Sequence, residues 1–132
     1  MTCRRFPGKA EREAGSAALT TAIIFPAVGL LFLALLQAVM VSVAGDIALS
    51  AAEEGLRVAR AHHGTTAQGR TAAVQFARAE PVLRSPVATV TGSTTVTVRV
   101  TGSAPTIMPG VHIDITRTVR GARERFTIPG RP

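Results

Sequence analysis

Residues 22–44 read AIIFPAVGLLFLALLQAVMVSVA, apolar but for Gln37 and Ser42. The stretch around it, residues 15–45, contains no charged residue. Wound as one helix, residues 22–44 would be about 35 Å long at 1.5 Å per residue. A bilayer's hydrocarbon core is about 30 Å thick, so the run can cross it with modest tilt. Only 87 residues, 46–132, follow the uncharged stretch. That is enough for one small domain, but not for an interior that could surround such a helix on every side. The reading is a single transmembrane helix over residues 16–45.

The flanks orient it. Residues 1–15 carry Arg4, Arg5, Lys9 and Arg12 against Glu11 and Glu13, whereas residues 46–60 carry Arg57 and Arg60 against Asp46, Glu53 and Glu54. Basic residues close to a span stay in the cytoplasm. Residues 1–15 are therefore expected as a basic cytoplasmic leader, with the C-terminal domain extracytoplasmic and the chain single-pass in the cytoplasmic membrane. A secretory signal peptide is the alternative. Ser42-Val43-Ala44 satisfies the small-x-small rule, and cleavage after Ala44 would release an extracytoplasmic binding module. Against it, the apolar core of a signal peptide is usually about 7–15 residues, and this run is far longer.

The net charge of +7 and a pI near 11.6 raise nucleic acid as a partner. The arginines beyond the span are dispersed and no aromatic platform interleaves them, so they read as a scattered, solvated basic surface and no nucleic-acid partner is expected. The single cysteine, Cys3, precedes the span, so residues 46–132 cannot close an internal disulfide.

A basic leader, then Gly15, then Ser16-Ala17-Ala18-Leu19 running into the apolar helix resembles a type IV prepilin N-terminus. With Pro26 early in the span and Ala51-Ala52-Glu53-Glu54-Gly55-Leu56-Arg57-Val58-Ala59-Arg60 beyond it, the chain resembles the TadE-like family of tight-adherence (Flp-type) pilus systems. The terminal Glu124-Arg125-Phe126 is similar to a common ending in that family. The resemblance implies a minor pilin or pseudopilin that takes part in assembly of a pilus or related secretion machine. A prepilin-type peptidase would cut between Gly15 and Ser16, and the partners would be the membrane and other pilin-like and Tad assembly subunits. Glu53, Gly55 and Arg57 would belong to the family's helix-packing motif. One position departs: the fifth residue after the cut is Thr20, where pilin-type proteins usually carry glutamate. Threonine can bond back to its own helix, but it forgoes ionic pairing with a neighbouring subunit's amine.

Beyond the span, helical spacing continues over residues 46–60. Ala48, Ala52, Gly55, Leu56 and Ala59 share one face; Glu53, Arg57 and Arg60 share the other, with Glu53 and Arg57 placed to pair at i,i+4. A second helix fits residues 68–80, with Ala73, Phe76 and Ala77 inward and Pro81 as its stop. The period then becomes two-fold. Residues 87–91 and 94–101 read as strands joined by a two-residue Gly92-Ser93 turn. Residues 111–119 alternate Val111, Ile113 and Ile115 against His112, Asp114 and Thr116, and a short last strand is expected over 124–128. The sum is an α+β, membrane-anchored chain. A long N-terminal transmembrane helix extends into a helical segment (46–80) and a small antiparallel β-sheet (81–132), similar to the pilin and pseudopilin plan.

Chemistry is sparse. His62 and His63, even with His112 and Asp114, lack the spacing of a metal site. Ser85, Ser93 and Ser103 sit in turn contexts without a nucleophile elbow, and no phosphate-binding loop is present. No enzymatic activity, cofactor, metal or small-molecule substrate is expected.

Overall fold

Two helices precede three strands: α1 (Lys9–Arg60), α2 (Thr66–Ala79), β1 (Arg84–Thr91), β2 (Thr95–Ala104) and β3 (Ile113–Ala122). The computed structural model describes the backbone of residues 9–123 and the side chains of residues 17–123. Cys3, Arg4, Arg5, the family-like ending at residues 124–126 and the strand expected over 124–128 lie outside the described residues. The chain divides into two units between Leu36 and Gln37.

In the first unit every described side chain, residues 17–36, is exposed. Pro26 lies inside the helix. A proline there removes one backbone hydrogen bond and crowds the preceding turn. Transmembrane helices tolerate it, because local adjustments and neighbouring groups satisfy what it frees. The Thr21 hydroxyl donates to the Ala17 carbonyl at 2.9 Å, which hides a polar group on an apolar helix.

The second unit is built around β2. The sheet order is β1-β2-β3 with both pairings antiparallel. Val96, Val98 and Val100 on one face of β2 are fully buried. Each buried valine of this kind contributes about 1.5–3 kcal/mol. Against that face lie small side chains: Ala44, Ala48, Ala51, Ala52 and Ala59 of α1 and Ala73 and Ala77 of α2. Leu83, Ala88, Ala104 and Ile115 complete the core. A long apolar N-terminal helix packed on a three-stranded antiparallel sheet is a pilin-like α+β arrangement.

The hairpin differs from the two-residue turn expected. Such a turn would set Thr91 opposite Thr94 and Val90 opposite Thr95. Instead Thr91 pairs with Thr97 and Val90 with Val98. Opposed residues share a face, so the observed register sets Val90 against Val98 and Ala88 against Val100, and leaves Val87, opposite Thr101, exposed. Gly92 takes φ +107°, and a Cβ there would collide with the Thr95 carbonyl oxygen.

Other local expectations shift as well. α2 begins at Thr66, two residues earlier than its spacing suggested, because Thr65 and Gln68 form a capping box: the Gln68 amide donates to the Thr65 hydroxyl oxygen at 3.1 Å and the Thr65 amide to Gln68 Oε1 at 3.0 Å. Its buried positions are Gly69, Ala73 and Ala77, whereas Phe76 is exposed. β3 starts at Ile113, and Val111 and His112 remain in the preceding loop.

Candidate functional site

The segment Ala51-Ala52-Glu53-Glu54-Gly55-Leu56-Arg57-Val58-Ala59-Arg60 closes the last turns of α1, and its residues divide by size. Ala51, Ala52, Gly55 and Ala59 are buried. A Cβ on Gly55 would lie 2.8 Å from both the Gly69 carbonyl oxygen and the Ala73 Cβ, and one on Gly69 would lie 2.6 Å from the Gly55 carbonyl oxygen. The two glycines thus let the backbones of α1 and α2 approach more closely than any side chain would permit.

The polar residues of the segment act differently from their expected pairing. Glu53 is exposed, and Arg57 binds Glu54 instead, through two hydrogen bonds of 2.6 and 2.8 Å. The i,i+3 geometry lets the guanidinium meet both carboxylate oxygens. Hydrogen bonding from Arg57 holds the Glu54 carboxyl below its ordinary value, and the same bond raises Arg57. This pair is solvent-accessible, so it adds little stability.

Arg60, expected on the solvent face, is half-buried: its Nε donates to the Ala122 carbonyl at 2.6 Å. Arg123 reaches back the other way and donates to the Gly64 carbonyl at 2.6 Å and to the Ala59 carbonyl at 3.4 Å. Two cations thereby meet carbonyls at the end of α1 and the end of β3, where a helix C-terminus favours positive charge. Read from the sequence, these arginines were part of a dispersed surface. Nothing in their local spacing announces a partner about sixty residues away.

The opposite end of the second unit is fastened by Gln37. Its Nε2 donates to the Pro105 carbonyl at 3.1 Å, and its Oε1 accepts from the Ile107 amide at 3.0 Å. The one amide side chain within residues 22–44 is thus held at both its nitrogen and its oxygen by the loop between β2 and β3. A few turns on, Ala44 and Gly45 are buried, and the Arg117 guanidinium lies over Gly45.

Gly15 and Ser16 fall within the helical backbone of α1, and their side chains lie outside the described residues. Thr20 and Pro26 lie on the exposed helix of the first unit. Thr20 and Pro26 thus belong to the first unit, and Glu53, Gly55 and Arg57 to the second.

His62 and His63 pack edge to face with ring centroids 3.9 Å apart, beside a shallow hollow that includes Thr65 and Arg123. His112 and Asp114 are exposed at the start of β3. Among the described residues, no group of three or more His, Cys, Asp or Glu is placed to hold a metal ion.

One helix among the described residues is long and apolar enough to cross a membrane, and a signal sequence would pass the same test of length and composition. In comparison with known proteins, no family model, no curated protein and no solved structure matches the chain.

Proposed function

We propose that this chain is a TadE-like minor pilin or pseudopilin, single-pass in the cytoplasmic membrane, with its C-terminal domain outside. In this role it takes part in assembling a tight-adherence pilus or a related secretion machine. The observation that carries the reading is the double use of α1. Residues 17–36 offer an exposed apolar helix, and from Ala44 onward the same helix supplies core alanines to the folded unit.

That continuity argues against release after Ala44. Cleavage there would cut a helix between two buried residues and remove Gln37 from the loop it holds. A signal peptide is discarded because the mature fold does not use it; here the fold uses residues 37–44. The order of Gly15, Ser16, Pro26 and the Gly55 segment supports the TadE-like assignment. Thr20 in place of glutamate removes the usual ionic pairing between subunits, which favours a minor or membrane-resident role over that of a major filament subunit.

Intact mass and N-terminal sequencing of the membrane-extracted protein test the proposal. The expected mature chain begins at Ser16 and stays in the membrane. A start at Gly45, or protein found wholly in the soluble fraction, would refute it. An uncut chain would leave the anchor and remove the prepilin-type assignment.

A further inference from the structure

The uncharged stretch 15–45 is longer than a bilayer needs, and the second unit indicates where the outer boundary falls. Gln37 spends both ends of its amide on Pro105 and Ile107. The β2–β3 loop therefore lies at the level of Gln37 on the helix. Its tip is apolar and turned outward: Ile107 is 52%, Met108 67% and Val111 41% exposed. No Asp, Glu, Lys or Arg occurs between Arg99 and Asp114. On the helix, Val39 and Met40 are exposed at neighbouring positions.

Several backbone groups of the loop are met within the protein. The Pro105 carbonyl and Ile107 amide are taken by Gln37, and the Thr106 hydroxyl lies within reach of the Met108 and Val111 carbonyl oxygens, at 3.1 and 2.7 Å. The Val111 amide donates to the Met108 carbonyl at 3.4 Å, and Pro105 and Pro109 have no amide hydrogen to satisfy. Backbone entering lipid must have its polar groups met internally. Farther along α1, the Arg117 guanidinium lies over Gly45. An arginine in hydrocarbon costs about 2.5–3.5 kcal/mol on insertion scales, so that level is outside it.

We infer that the β2–β3 loop is a second membrane contact: Ile107, Met108 and Val111 enter the outer interface of the same bilayer that α1 crosses, and Gln37 marks the boundary. The crossing segment then ends at residue 36, and the uncharged residues 15–36, about 33 Å long as a helix, suffice to cross a hydrocarbon core of about 30 Å. Residues 37–45 belong to the folded domain. The inference rests on the membrane-anchored reading above, and the partner is lipid.

The chain has no tryptophan, so single reporters can be placed at Phe25→Trp, Met108→Trp and Ser93→Trp. Each full chain is reconstituted into phosphatidylcholine–phosphatidylglycerol vesicles whose acyl chains are brominated either near the headgroup or near the chain end. The Met108→Trp protein is expected to show blue-shifted emission and to lose most of its fluorescence to the shallow bromines. Phe25→Trp should be quenched by the deep ones, and Ser93→Trp, in the β1–β2 turn, by neither. Adding Gln37→Leu should lower the quenching of Met108→Trp and leave that of Phe25→Trp unchanged.

Met108→Trp quenched no more than Ser93→Trp, with Phe25→Trp still quenched, would overturn the loop contact alone. Loss of quenching at Phe25→Trp as well would overturn the anchor itself. Blue-shifted emission at Met108→Trp without bromine quenching would mean that protein covers the loop, and would also overturn the inference.

Discussion

At Gly55, two physical effects of opposite sign meet. Replacing a helical glycine with alanine ordinarily gains about 1 kcal/mol of helix propensity. Here the added methyl would lie 2.8 Å from a carbonyl oxygen of α2 and from the Ala73 Cβ. Neither neighbour is the far end of a flexible side chain, so the helices must separate, and overpacking of this kind costs typically 1–3 kcal/mol. Packing is expected to win. Gly55→Ala should lower the thermal midpoint of the domain despite its better propensity, and a raised midpoint would show that the crossing can relax.

The sequence suggested a packing reason for Gly55 from its place among alanines, but it could not name Gly69 as the partner. Gly69 lies on a different helix, and only the turn at residues 61–65 brings the two together. Gln37 was equally silent. In the sequence it is a polar interruption of an apolar run, and its meaning depends on a loop whose nearest bonded residue is 68 positions away.

Among the elements, the strands were the most legible. β2 alternates valine with threonine and arginine, and its buried face is the one that alternation assigns, Val96, Val98 and Val100. Turn length was less legible, because a Gly-Ser pair suits a short hairpin locally while the register is decided across the sheet. Phe76 misled for a related reason. Its size made it a core candidate, but helices approaching at Gly55 and Gly69 leave room for alanine and none for an aromatic ring. Val98 touches this crossing, with its Cγ1 3.4 Å from where a Gly55 Cβ would stand. Val98→Asp would put a carboxylate into a core that holds no buried polar or charged residue among those described, and burial of an unpaired charge costs several kcal/mol or more. The domain is expected to lose its cooperative unfolding transition, read by circular dichroism; a folded Val98→Asp protein would place the buried face of β2 elsewhere.

At the scale of the whole molecule, the proposed orientation rests on four basic residues before the span. A reporter active only in the cytoplasm, fused after Pro132, should be inactive, and one active only outside should work. The reverse would invert the chain. The proposed processing would carry a further requirement: the bond between Gly15 and Ser16 lies in helical backbone, whereas a protease cleft takes extended chain. A peptidase cutting there would have to unwind this stretch first. Glycine lowers the cost of that opening, since it is among the poorest helix formers.

The two fastenings of α1 have a mechanical consequence. Gln37 ties the helix to the loop after β2, and Arg60 ties it to the end of β3. The helix between them is about 36 Å long, close to the roughly 34 Å of a ten-residue strand such as β2. A pull along the helix axis therefore loads both ties and the alanine–valine contact between them together, as a lap joint is loaded in shear. A pull across the sheet would instead peel its hydrogen bonds one after another. A force applied at Gln37 along residues 37–60 is borne in the first way, by all of these contacts at once.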